Sequence, residues 1–147
     1  MSDDLAVRSA IIDRKPVHPS ITRAQISDLV EQFYSRIRQD PRLGPIFERR
    51  IEDNWPPHLA KMKLFWASVL LRTGEYKGKP VPAHARLSEV QTDDFVLWLN
   101  LFRATVFDVF EADAQPIIID AAERIASSLW IAIGENLLKQ PPAWSER

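Results

Sequence analysis

Apolar residues recur three and four positions apart along most of the chain, the spacing that lines one face of a helix. Ile26, Leu29, Val30, Phe33 and Ile37 make the first such stripe. Thr22 and Gln25 are spaced for a capping box at its start. Pro41 predicts its end, because the residue before a proline, here Asp40, is pushed out of the helical region. A short segment follows with Leu43, Ile46 and Phe47 as its apolar residues. The next helix is predicted to open at Asn54-Trp55-Pro56-Pro57, with Asn54 as cap and the prolines tolerated in the first turn. Its apolar face is Met62, Phe65, Trp66, Val69 and Leu70, and Gly74 is expected to close it. The stretch GEYKGKPVPAH then reads as a loop, followed by a short helix carrying His84 and Leu87. Phe95, Trp98, Leu99, Phe102, Val106 and Val109 line a further helix, with Thr92, Asp93 and Asp94 at its positive N-terminal end. Pro116 is placed to start the last one, striped by Ile118, Ala122, Ile125, Leu129 and Ile133. No convincing alternating strand emerges. The expected class is all-α: an arm over residues 1–19, one domain over 20–139, and a tail over 140–147. Four main helices with short ones between do not by themselves separate a four-helix bundle from a globin.

A chain of 147 residues fits one domain, and 46% hydrophobic with 27% charged residues marks it as globular. A net charge of -1 supplies no basic footprint for nucleic acid and no charged face for a membrane surface. The absence of cysteine removes disulfides, thiolate metal sites, iron–sulfur clusters, a cysteine nucleophile and covalent haem attachment, and suits a reducing compartment. The opening MSDDLAVRSAIIDRK is acidic at once and lacks the apolar core of a signal peptide. The longest uncharged apolar runs, Leu64–Leu71, Phe95–Phe102 and Ile125–Gly134, are far shorter than the roughly 18 residues of a membrane span. The expected location is the cytoplasm, with neither nucleic acid nor membrane as partner.

The histidines are His18, His58 and His84. His18 lies beside Pro19 in the arm and reads as a solvated surface residue. His58 stands four residues before Met62 and seven before Phe65, on the apolar stripe of its helix. Spacing alone makes it a core histidine, and His84 an exposed loop residue. No HExxH, GxSxG, P-loop or GxGxxG pattern is present, and the acidic Glu48, Glu52 and Asp53 are interrupted by Arg49 and Arg50. What remains is an aromatic-rich helical core with two histidines available to it. Haem needs such a site, because its apolar plate must be buried while its iron takes an imidazole from one side. Any helical core also shows aromatic stripes.

The order of these residues resembles the truncated haemoglobins, and among them group III. The carrying strings are FYSRIRQDPRLGPIF at 33–47, WPPHLAKMKLFWASVLLRTGEYKGKP at 55–80, the His84 segment and WLNLF at 98–102. The resemblance covers about Ile21 to about Leu138, and the lack of any Gly-Gly pair is in keeping with group III. It implies a globin cut down to a two-over-two helical sandwich that binds haem b. His84 resembles the proximal iron ligand, Tyr34 the distal tyrosine, Phe47 the phenylalanine packed on the haem face, His58 the distal-helix histidine, and Trp98 the distal tryptophan. Met62 would face the ligand, Phe65 and Trp66 would pack on the haem or the core, and Lys61 would reach a haem propionate. The arm is longer than the family core requires, and Pro56-Pro57 bears on where His58 sits.

The resemblance further implies oxygen, nitric oxide and carbon monoxide as ligands, with an electron-donating reductase as partner and a monomer favoured. Two hydrogen-bond donors, the Tyr34 hydroxyl and the Trp98 indole, would slow oxygen release. That suits dioxygenase or peroxidase-like redox chemistry of oxygen, nitric oxide or peroxide better than transport. His58 would either gate ligand entry or bind the iron itself. The alternatives are a non-catalytic haem-based sensor or carrier, and a haem-free helical interaction module. On the pattern alone, a helical bundle for another apolar ligand also stands.

Overall fold

The computed structural model describes residues 15–76, 90–134 and 141–144, without the side chains of 133 and 134. Among the described residues the regular structure is five α-helices: α1 (Arg23–Gln39), α2 (Leu43–Ile51), α3 (Trp55–Leu70), α4 (Thr92–Val109) and α5 (Gln115–Gly134). Among the described residues there is no strand. The all-α expectation holds.

Helix α1 begins as its sequence dictates. The Thr22 hydroxyl accepts from the Gln25 N–H at 3.2 Å, and the Gln25 carboxamide oxygen accepts from the Thr22 N–H at 2.9 Å. The helix stops at Asp40, which is extended as a residue before proline must be. Asp40 then starts α2: its carboxylate accepts from the Arg42 and Leu43 N–H groups at 2.9 and 2.8 Å. Gly44 makes the tight corner possible, since a Cβ there would lie 2.7 Å from the Arg38 carbonyl oxygen. With no side chain in the way, α2 is folded back directly onto the end of α1.

Helix α3 differs from expectation at both ends. Asn54 occupies the cap position but its side chain makes no capping bond. Its ψ of 25° departs from the extended backbone that a capping side chain needs. The helix closes at Leu71, three residues before Gly74. Arg72 takes the left-handed conformation first, with φ 58°, and Gly74 takes it again with φ 69°. At the start of α4 the Asp94 carboxylate accepts from the Gln91 N–H at 2.8 Å, so the acidic first turn is fixed by a hydrogen bond as well as by the helix dipole.

Helix α1 packs on α2, α3 and α4, and α4 packs on α5. The core runs through the α1–α4–α5 contact, where Leu29, Ile37, Leu99, Phe102, Val106, Ile118 and Ala122 are fully buried. Polar ties join the same elements. Arg36 of α1 donates to Thr105 at 2.9 Å and pairs with Asp108 of α4. The Trp130 indole of α5 donates to Thr92 at 3.0 Å. Both flanks of the domain are also held. The Val17 N–H donates to the Leu70 carbonyl at 2.9 Å. Trp144 is buried, its ring stacked on Phe95 at 5.9 Å and its indole N–H donating to Ser127 at 3.1 Å.

A candidate haem cavity between the helices

A cavity opens between the end of α1, helices α2 and α3, and the facing sides of α4 and α5. Pockets that bury a flat organic ligand are mostly apolar, as this one is. Its walls are Tyr34 from α1, Leu43, Ile46 and Phe47 from α2, Met62, Phe65 and Trp66 from α3, Asp94, Phe95 and Trp98 from α4, and Ile125, Ala126 and Leu129 from α5. Val90, just before α4, completes the described lining.

The aromatic walls are locked by one another. Phe33 stands edge-on to Tyr34, Trp98 and Phe102, with centroids 5.1, 5.3 and 5.3 Å away. Trp98 stacks on Phe102 at 5.7 Å, and Phe102 on Trp66 at 4.9 Å. These arrangements suit the quadrupoles of the rings and limit their rotation. Tyr34 meets Phe47 at 6.2 Å and His58 at 5.0 Å, both edge-on. Burial raises the Tyr34 phenol well above its ordinary pKa, and the neighbouring Tyr76 phenol adds to the rise. Tyr34 therefore stays a protonated hydrogen-bond donor.

The acidic residue of the lining, Asp94, is held in an ion pair. Asp94 has only 7% of its side chain exposed, and Arg42 clasps it with two bonds of 2.8 Å. That guanidinium holds the Asp94 carboxyl below its usual range despite the cost of burial, with the Gln91 N–H helping. The pair ties the residue before α2 to the first turn of α4. A second, more open groove borders Tyr34, between α1 and the start of α3. There Arg38 lies over the Trp55 ring at 4.4 Å, and both donate to Glu48, which lowers its pKa.

The structure thus brings Tyr34, Phe47, Met62, Phe65 and Trp98 together around one cavity. His58 is not part of the described lining: it is half-buried, with its Nε2 atom buried and its ring edge-on to both Tyr34 and Trp55. Lys61 is exposed on α3 and is not part of the described lining. His84 lies outside the described residues, as do Leu87 and most of the expected loop. His18, expected to be solvated, is half-buried, with Nδ1 2.8 Å from the Ser20 hydroxyl. Reading the sequence missed Asp94 with its partner Arg42. The only signal was an acidic residue in a helix's first turn, which ordinarily faces water.

A small helical sandwich around an apolar, aromatic cavity is the architecture of a globin. A known group 3 truncated haemoglobin of Campylobacter jejuni, Ctb, is 36% identical over 111 residues, which cover 74% of this chain and 87% of that protein. The crystal structure of the group III truncated haemoglobin from Campylobacter jejuni superposes with a TM-score of 0.71 at 35% identity, covering 76% of this chain and 91% of that one. No family model matches the chain. The chain belongs to the group III truncated haemoglobins.

Proposed function

We propose that the cavity holds haem b, that His84 is its proximal iron ligand, and that the chain binds oxygen and other diatomic ligands for redox chemistry rather than transport. The observation that carries this reading is the cavity itself: mostly apolar, walled by flat rings, with a phenol and an indole on its lining. Among the described residues no group of three or more metal-binding side chains offers a rival centre. In sequence, His84 is the sixth residue before Val90, a cavity wall.

Haem, when bound, supplies an iron that takes up a diatomic ligand and exchanges electrons with it. The rest falls to the chain. Phe47, Met62 and Phe65 exclude water. Lys61 is assigned to a propionate at the rim. The Tyr34 hydroxyl and the Trp98 indole donate hydrogen bonds to a ligand seated in the cavity, each worth about 0.5–1.5 kcal/mol. Losing one such bond speeds release roughly two- to tenfold, since about 1.4 kcal/mol is a factor of ten. Tyr34→Phe should accordingly raise the oxygen dissociation rate by that factor in a stopped-flow measurement. An unchanged rate removes Tyr34 as a donor.

The deciding experiment is the absorption spectrum of the reduced, ligand-free protein after titration with haem, for the wild type and His84→Ala. Stoichiometric uptake with a spectrum that changes character in the variant is expected. A high-spin form assigns His58 to the gate; a low-spin form assigns it to the iron. Failure to take up haem removes the reading.

A further inference from the structure

One ring contact leads away from the cavity. Phe65, a cavity wall, stands edge-on to Tyr76 at 5.2 Å and edge-on to Trp66 at 5.3 Å. Trp66 stacks on Phe102 and Phe102 on Trp98. Five rings therefore run from Trp98 to Tyr76 with no gap between neighbouring centroids wider than 5.7 Å. Three of the five are tryptophan or tyrosine, the side chains most readily oxidised by one electron. The two phenylalanines are bridges only.

The two phenols near these rings, Tyr34 and Tyr76, differ in burial. Oxidised tyrosine must give up its phenolic proton. Tyr34 is buried within the core, which keeps that proton in place. Trp66 is equally buried. Tyr76 is half-buried, lies beyond α3, and is fixed by its N–H donating to the Ser68 hydroxyl at 2.9 Å. It is the phenol in the chain of rings, and unlike Tyr34 it is not fully buried.

We propose that Tyr76 is the outer end of a one-electron relay, Trp98–Trp66–Tyr76, through which small phenols at the surface reduce hydrogen peroxide in the cavity. This rests on the haem reading above. One hydrogen peroxide takes up two electrons, and two protons from solvent, and becomes two waters. Two phenols each lose one electron and one proton and become phenoxyl radicals, which couple in solution. In each transfer Tyr76 gives an electron inward along the rings and its proton to water, then regains both from a phenol. The phenol need not enter the cavity.

The test uses the full chain loaded with haem, with uptake first verified by its spectrum. Hydrogen peroxide is added with a nitroso spin trap, and the trapped residue is located by peptide mass spectrometry. The adduct is expected on Tyr76, suppressed by added guaiacol and absent in Tyr76→Phe, whose haem spectrum is unchanged. Trp66→Phe and Trp98→Phe, each keeping a ring in place, are expected to lower the Tyr76 adduct. An adduct confined to Tyr34, or a Tyr76 adduct undiminished in both tryptophan variants, overturns the relay while leaving haem binding intact. Failure to take up haem overturns both.

Discussion

The interior between α1, α4 and α5 and the wall formed by α2 and α3 are both apolar, but they are finished differently. In the interior, Leu29, Ile37, Leu99, Phe102, Val106, Ile118 and Ala122 have no exposed surface. Along the wall, Phe47, Met62 and Phe65 remain half-buried beside the cavity. Full burial of such side chains stabilises by about 1.5–3 kcal/mol each. The wall leaves part of that unrealised, so the binding surface exists at the expense of the empty protein's stability. A ligand that fills the cavity recovers it.

The contrast is broken most severely at its centre. Phe102→Ala should destabilise the chain by about 3–5 kcal/mol in urea unfolding, whereas Phe47→Ala should cost the haem-free chain less than about 1 kcal/mol and show its main effect as weaker haem uptake. Equal losses in the two variants would mean that the wall is packed like the core. A smaller effect is expected where the wall is hinged. Asp40→Ala removes the carboxylate that accepts from the Arg42 and Leu43 N–H groups, and should cost about 0.5–2 kcal/mol in the same assay. The last and most informative test concerns Asp94, whose contribution is present at neutral pH and lost in acid. Its folded pKa lies below the ordinary 3.8. The ionised form therefore stabilises the fold above the unfolded pKa, and that contribution is lost as pH falls through the folded value. Unfolding measured from neutral pH down to the acid side of that pKa should show a steeper loss for the wild type than for Asp94→Asn.

The parts legible in the sequence were those governed by neighbours along the chain. The α1 stripe, the Thr22–Gln25 box and the stop before Pro41 are all local and all stand as read. Tyr34, Phe47, Met62, Phe65 and Trp98 could be singled out only through a family resemblance, since an aromatic at helical spacing looks the same whether it faces a cavity or a core. What escaped needed a third dimension. Asp40 ends one helix and starts the next, a double use that a one-helix reading divides. Asn54 has the right residue type for a cap and the wrong backbone. Gly74 was expected at a turn that Arg72 had already made. Arg42 and Asp94 are far apart in sequence, and no periodicity pairs them.

Trp144 carries a practical lesson. It covers the ring of Phe95, and Phe95 is itself a cavity wall, so Trp144 braces the cavity from behind. A purification tag or fluorescent fusion joined a few residues after it would pull on that brace. Reporters for this chain are better attached through a long spacer, and an affinity measured on a closely tagged form describes a cavity with a loosened back wall.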